Sequence, residues 1–197
     1  MPKTVDYVGR FAFFELASFT LVRDHGVDRL SRHALAKVLA TSVSTIRRLL
    51  SPEADLRQLA LNEVAYRRRL RLTPAAGATG PDAGARLLMP LIPTVPEQVA
   101  EELVWWRLVI ATSDDGEADV VVAARQVHDE DLADRLHTVV RVTAPRLTPP
   151  AVDHHAQVLH AVVDGLRVAV TLGRLSPDEA ASLARAHVAT IALSAPR

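Results

Sequence analysis

Cysteine is absent from the 197 residues, so disulfide bonds and metal sites with thiolate ligands are excluded. Aromatic residues are scarce, at 4% of the chain. The sequence has no sustained alternation of apolar and polar residues, so it does not predict strands. The sequence also lacks a glycine-rich phosphate loop, a nucleophile elbow and a recognisable pair of catalytic carboxylates. We therefore expect neither an enzyme nor a bound cofactor.

One apolar stretch, at residues 11–22, resembles the core of a targeting signal. It is too short to cross a bilayer, carries Glu15 and is not followed by a small-residue cleavage pattern. We interpret it as a core helix and expect no membrane association. Hydrophobic residues at 49% and charged residues at 23% are typical of a globular chain with one or two domains. The lack of cysteine is compatible with the cytoplasm, where we expect the protein to act.

The formal net charge is zero, but positive and negative residues are segregated along the chain. Residues 1–72 contain 13 basic and 7 acidic residues, a net of +6, whereas residues 73–197 contain 10 and 16, a net of −6. A basic amino-terminal part indicates that this end meets a polyanion. Chance segregation on a solvated surface is the alternative interpretation.

Helical periodicity dominates the chain and predicts an all-α fold of about nine helices. Four helical segments precede residues 73–84, which are too rich in glycine, proline and alanine to be regular helix throughout, and about five follow. The first helix is predicted over about residues 5–25, ending at Gly26. Its predicted buried face consists of Phe11, Phe14, Ser18, Leu21 and Val22.

Two short helices with a tight turn between them follow the first helix. Ser31 is a natural N-cap for a helix over about residues 32–39, and Ser42 for one over about residues 43–50. Together they form a helix-turn-helix pattern, in which the second helix enters the major groove of DNA.

The second of these helices has two chemically different faces. Ile46, Leu49 and Leu50 would hold it on the core, while Arg47 and Arg48 lie on the polar face. Arginine donates two hydrogen bonds to O6 and N7 of guanine, and hydroxyl groups contact phosphates or bases. The candidate DNA-binding residues are Ser31, Ser42, Val43, Ser44, Thr45, Arg47 and Arg48.

The start of a fourth, long helix is predicted at Ser51, Pro52 and Glu53. These residues supply a cap, a proline at the first helical position and an acid in the first turn. We accordingly place a helix-turn-helix domain at residues 1–55 and a larger helical domain at residues 56–197.

From Ala17 to Leu56 the sequence resembles the DNA-binding domain of the TetR family of transcriptional regulators. The segment ASFTLVRDHGVD is similar to the end of the family's first helix, with Val22 in the aromatic place and Gly26 in the glycine corner. Residues 39–50 align without gaps to the family's turn and recognition helix, usually Ala-Gly-Val-Ser-x-Gly-Thr-Leu-Tyr-x-x-Phe.

Four departures from the family pattern concern the DNA contacts. Ala40 replaces the turn glycine, Arg47 the usual tyrosine and Leu50 the usual phenylalanine. Glu53 stands where the family often has a lysine that contacts phosphate, so that contact is expected to be weaker. Arg47 and Arg48 would compensate for it.

Residues 161–191 resemble the last two helices of the same family. Ser176 and Glu179 form a capping box with Pro177 at the first helical position, which predicts a helix start there. The resemblance implies that these two helices pair with their copies in a second subunit, giving a homodimer. The candidate dimer-interface residues are Leu159, Val162, Val163, Leu166, Val170, Leu183, His187 and Ile191.

The resemblance also implies a pocket for a small effector in the larger domain. Trp105 and Trp106 are adjacent and cannot share one helical face, so one of them would face a pocket, a partner or solvent. The candidate ligand-binding residues are Leu88, Met89, Trp105, Trp106 and Val109. The absence of a charge cluster among them favours a small lipophilic effector, and plain core packing is the alternative.

The histidines show no spacing typical of a zinc enzyme, so we expect ordinary surface or interface histidines and no metal, with a site assembled across helices as the alternative.

The sequence as a whole predicts a repressor that binds a palindromic double-stranded DNA operator as a homodimer and is released by an effector. The competing hypothesis is a helical ligand- or partner-binding protein whose helix-turn-helix no longer reads DNA. This hypothesis rests on Ala40, which replaces the turn glycine, and on Glu53, which stands where the family often has a lysine that contacts phosphate.

Overall fold

A computed structural model describes residues 7–52, 54–72, 82–114 and 119–194. Within these ranges it contains nine α-helices and no strand, which confirms the predicted all-α fold. The helices are α1 Tyr7–His25, α2 Arg32–Val38, α3 Val43–Leu49, α4 Leu56–Leu72, α5 Ala83–Leu88, α6 Pro96–Asp114, α7 Asp119–Thr143, α8 Pro149–Thr171 and α9 Pro177–Leu193. None of the helices in the described ranges is long and apolar enough to span a membrane.

The chain divides into two compact units. The first comprises residues 1–68 and 103–125, and the second comprises residues 69–102 and 126–197. Helices α4, α6 and α7 each contribute residues to both units. The domain boundary predicted between residues 55 and 56 falls within the first unit. The division into a helix-turn-helix domain and a larger domain stays a prediction.

Two hydrophobic clusters stabilise the first unit because α1 is apolar on two sides. Phe14, Ala17 and Leu21 pack with residues of α2, α3 and α4. Phe19 and Val22 pack with residues of α4, α6 and α7. Burial of apolar surface on the first of these sides holds the two short helices against α1, and burial on the second holds α4, α6 and α7.

The buried face predicted for α1 is confirmed at four positions and wrong at one. Phe14, Ser18, Leu21 and Val22 are buried, but Phe11 is 46% exposed. Among the described side chains of α1, Phe14 is the first that belongs to a cluster. Phe11 lies almost a full turn before it and is left uncovered. The predicted start of the helix lies outside the described residues.

Helix α4 begins later than the sequence predicts. It starts at Leu56, and Oδ1 of Asp55 accepts a hydrogen bond of 2.7 Å from the backbone N–H of Arg57. Ser51 is therefore not its N-cap, and its carbonyl oxygen instead closes a turn. Aspartate caps a helix as well as serine does, so the later position competes successfully. Glu53 lies outside the described residues.

One large apolar cluster, formed by residues of α5 and α7–α9 with neighbouring segments, is the core of the second unit. Helix α5 lies close to α7. A Cβ atom added to Gly84 would lie 1.9 Å from Oγ1 of Thr143 and 3.3 Å from the carbonyl oxygen of Val139. The glycine of α5 thus permits an approach that a side chain would block. Residues 73–81 of the predicted interruption lie outside the described residues, and Ala83 already begins α5.

Helix α9 begins at the capping box that the sequence predicts. The backbone N–H of Glu179 donates a hydrogen bond of 3.3 Å to Oγ of Ser176. In return, the backbone N–H of Ser176 donates one of 2.8 Å to Oε2 of Glu179. These two bonds fix the end of the loop between α8 and α9.

Candidate nucleic-acid interface

Both helices of the predicted helix-turn-helix begin at their serine caps. Oγ of Ser31 accepts a hydrogen bond of 3.2 Å from the N–H of Ala34, and Oγ of Ser42 accepts one of 3.0 Å from the N–H of Thr45. Each bond satisfies a backbone donor that the first turn of a helix leaves free. Helices α2 and α3 are therefore short, separately capped rods of seven residues each.

The turn between α2 and α3 passes through Ala40, whose φ is 48°. This left-handed conformation costs an L-residue about 1–2 kcal/mol, whereas glycine adopts it readily. The N–H of Thr41 donates a hydrogen bond of 2.9 Å to the carbonyl oxygen of Ala36 and closes the turn. The backbone therefore has the conformation that favours a glycine, although the residue is alanine.

Helix α3 is held by apolar residues on one side and exposes polar residues on the other. Ile46 and Leu50 are buried, and Leu49 is half-buried against the same cluster. Oγ of Ser42 and Oγ1 of Thr45 are hydrogen-bonded to each other at 2.8 Å. Of the candidate DNA-binding residues, Ser31, Ser42, Ser44, Arg47 and Arg48 are exposed, while Val43 and Thr45 are half-buried.

Arg47 and Arg48 carry free positive charge on the exposed side of α3. Within the part of the chain that the structure describes, their guanidinium groups have no hydrogen-bond or ion-pair partner. Residues 26–52 contain five basic residues and one acidic residue. Uncompensated positive charge on such a surface attracts the phosphate backbone of nucleic acid.

The candidate dimer residues fall into two groups. One group belongs to the core of the second unit, and the other remains accessible to different extents. The buried residues are Leu159, Val163, Leu166, Val170 and Ile191, whereas Val162 and His187 are half-buried and Leu183 is 50% exposed. Contacts within one chain thus already cover most of the predicted stripe, and only the second group is accessible to a partner.

A different apolar row lies on the outward faces of α8 and α9. Gly165 belongs to it, and no neighbouring atom lies within 4 Å of the position that a Cβ would take there. The exposed small and apolar residues are Val158, Ala161 and Gly165 on α8, its C-cap Leu172, and Leu183, Ala186, Ala189 and Leu193 on α9. Periodicity alone did not distinguish this row from the buried one because both faces of α8 are apolar.

His187 lies between the buried and exposed sides of α9. Its Nε2 atom is buried and has no hydrogen-bond partner among the described residues. Burial lowers the pKa of His187 below its ordinary value, and the nearby His155 on α8 lowers it further. The folded protein therefore favours the neutral imidazole at this position.

The candidate effector residues are divided between the two units. Leu88 and Met89 pack in the cluster of the second unit, whereas Trp105, Trp106 and Val109 pack in the first. Trp105 is buried, and Trp106 is half-buried. Each of the five packs against apolar residues of its own unit, and their role in ligand binding stays a proposal.

A buried charged network in the second unit was not predicted. Nη2 of Arg167 lies 2.7 Å from Oε2 of Glu102, and the same guanidinium donates through Nη1 to Asp164 at 3.1 Å and to Nε2 of His128 at 3.2 Å. The spacing of Asp164 and Arg167 on α8 was the only local signal. Glu102 is 65 positions from Arg167, and helical periodicity carries no information about a pairing of that range.

The order and packing of the helices are those of known transcriptional regulators. A transcriptional regulator from Rhodococcus sp. RHA1 superposes with a TM-score of 0.78 at 17% identity, covering 94% of this chain and 97% of its own. A protein described as a TetR-family transcriptional regulator from Rhodococcus sp. gives 0.73 at 21% identity, covering 93% and 98%. A transcriptional regulator from Pseudomonas aeruginosa PAO1 gives 0.74 at 17% identity, covering 96% of each chain. These similarities define the fold as that of TetR-type regulators.

The family is shown by the sequence itself. Residues 85–193, more than half of the chain, match the model of the C-terminal domain of BetI-type transcriptional repressors. The chain therefore belongs to the BetI-type family of TetR transcriptional regulators. No curated protein matches the sequence significantly.

Proposed function

We propose that the protein is a cytoplasmic repressor that binds a palindromic double-stranded DNA operator as a homodimer and is released by a small effector. The observation that carries the proposal is the pair Arg47 and Arg48 on α3, exposed and without partners in the described residues. A rigid, capped helix with free guanidinium groups is suited to the major groove, where arginine binds O6 and N7 of guanine.

The other exposed groups of the helix-turn-helix suit the DNA backbone. The hydroxyl groups of Ser31 and Ser42 lie at the starts of α2 and α3, and Ser44 lies one residue into α3. Such hydroxyls donate to phosphate oxygens and fix the register of a recognition helix without reading a base. Specificity in this account rests on Arg47 and Arg48.

The homodimer is proposed to form through the outward faces of α8 and α9. These faces carry small and apolar residues such as Ala161, Gly165 and Leu183, which permit close approach between helices of two subunits. A two-fold symmetric dimer would present its two recognition helices to half-sites about 34–36 Å apart, or a multiple of that distance. The operator is therefore expected to be palindromic.

The effector is proposed to bind in the larger domain, where the candidate residues are apolar or aromatic and favour a lipophilic compound. We therefore expect DNA release to respond to small lipophilic compounds.

A gel-shift titration tests the proposal with the full chain and the DNA that lies upstream of its own coding sequence. We expect retardation at low salt that weakens as salt rises, and none with a scrambled fragment of equal length. The variant carrying both Arg47→Ala and Arg48→Ala is expected to lose the selective retardation. Failure to retard any upstream fragment at low salt would overturn the repressor function and leave a helical ligand- or partner-binding protein.

A further inference from the structure

We propose that Arg32 is a phosphate-binding residue that the chain itself holds in place at the edge of the recognition surface. The inference rests on the proposed function, because it assigns a further DNA contact to the same surface. Arg32 is the first residue of α2, directly after the cap Ser31, and it is not among the residues that the sequence pattern singled out.

The guanidinium of Arg32 is fixed by the segment that leaves the recognition helix. Its Nη2 atom donates hydrogen bonds of 2.6 Å to the carbonyl oxygen of Ser51 and 2.8 Å to that of Pro52. These carbonyls directly follow Leu50, the C-cap of α3. Two bonds to consecutive carbonyl groups use both hydrogens of Nη2 and hold the planar group in one orientation.

The partners of this fixed group are uncharged carbonyl oxygens, and no carboxylate among the residues that the structure describes neutralises its charge. Arg71 and Arg167 are also anchored, but they pair with the carboxylates of Glu101 and Glu102. Arg107 is held as Arg32 is, by two consecutive carbonyl oxygens, but it lies on α6 and outside the helix-turn-helix. Arg32 is half-buried and its Nη1 atom is not used in either bond, so donors remain for an external anion.

The position of Arg32 in the motif selects the DNA backbone as that anion. In a helix-turn-helix the first helix crosses the phosphate backbone while the second enters the groove. Arg32 belongs to the first of the two helices and is bonded to the segment that directly follows the second. A pre-oriented guanidinium pays little conformational entropy on binding and forms strong charge-assisted bonds with phosphate.

Two matched variants separate the effect of the charge of Arg32 from the effect of its hydrogen bonds to Ser51 and Pro52. Arg32→Lys keeps the charge, and Arg32→Gln removes it while keeping an N–H donor. Arg174→Ala is the control, since it removes an equal charge from the loop between α8 and α9. Binding of each full-length variant to the upstream fragment is measured by fluorescence anisotropy between about 50 and 200 mM salt. Thermal unfolding verifies that each variant is folded.

The salt dependence decides the outcome. Each neutralised phosphate adds about 0.9 to the steepness with which log K falls as log salt rises. The Arg32→Gln dimer lacks one such contact in each subunit, so its slope is expected to be less steep by about 1.8. This corresponds to a loss of roughly tenfold or more in affinity at about 100 mM salt, with the slope retained in Arg32→Lys and Arg174→Ala.

Two results would overturn the proposal. Weaker binding of Arg32→Gln with an unchanged slope would show that Arg32 only supports the linker, and unchanged affinity and slope would show that it has neither role. A wild-type protein that binds no fragment would overturn the proposed function and this inference together, whereas wild-type binding with an unchanged Arg32→Gln slope overturns the inference alone.

Discussion

Arg167 and Glu102 form an ion pair of 2.7 Å in which both side chains are almost completely buried. Removing Glu102 leaves Asp164, which is 40% exposed, as the remaining carboxylate partner of Arg167 among the described residues. The charge of the buried guanidinium is then poorly compensated in a medium that solvates it poorly. We expect Glu102→Gln to lower the free energy of unfolding by about 3 kcal/mol, measured by urea denaturation at one protein concentration. The exposed pair Arg23 and Asp24 is the control, where Asp24→Asn should cost less than about 1 kcal/mol. Equal losses would show that burial of the pair has no energetic consequence.

At the left-handed turn residue, we expect a substitution to stabilise the fold. Ala40 has a φ of 48°, so replacement by glycine removes a steric strain in the folded state. Glycine also increases the conformational entropy of the unfolded chain, which offsets part of this gain. We expect Ala40→Gly to stabilise the fold by about 0.5–1 kcal/mol in the same assay. Ala12→Gly, at an exposed position within α1, should destabilise it by a similar amount. Destabilisation by both variants would contradict the conformation of the turn.

The close contact between α5 and α7 predicts a large effect of a single methyl group. Gly84→Ala would place Cβ 1.9 Å from Oγ1 of Thr143 and 3.3 Å from the carbonyl oxygen of Val139, so the Thr143 side chain must rotate or one of the helices must shift. We expect a loss of about 1–3 kcal/mol, partly restored by Thr143→Ala in the double variant. A stability equal to that of the wild type would show that the two helices are farther apart than described.

The depressed pKa of His187 predicts a loss of stability in mild acid. Burial, assisted by His155, lowers this pKa in the folded protein, so the unfolded chain binds the proton more tightly. The unfolded state is therefore favoured as pH falls below the ordinary histidine value of 6.5. We expect the wild type to lose more stability between about pH 7 and 5 than His187→Asn does, as measured by urea denaturation across that range. Parallel pH profiles would exclude His187 as the source.

Local features of the fold could be predicted from the sequence, and long-range ones could not. The caps Ser31, Ser42 and Ser176 act within one helical turn, so their sequence pattern is sufficient. The pairing of Arg167 with Glu102 joins helices that are distant in the chain, and no periodicity records it. The same limit applies to α8, where periodicity alone does not separate the apolar residues that the core of the chain covers from those that stay exposed.

The candidate DNA-binding site shows the same division. The exposure of Arg47 and Arg48 follows from their spacing relative to Ile46 and Leu50, so the sequence predicted it. The anchoring of Arg32 depends on where the segment after α3 runs, and the sequence misplaced that segment by starting α4 too early.

Measuring the binding of Arg47→Ala to a guanine-containing operator and to unrelated DNA tests the central claim most directly. If Arg47 reads a base, affinity for the operator falls by about 1–3 kcal/mol, while binding to unrelated DNA changes much less. An equal loss on both kinds of DNA would contradict base reading and assign Arg47 to the phosphate backbone.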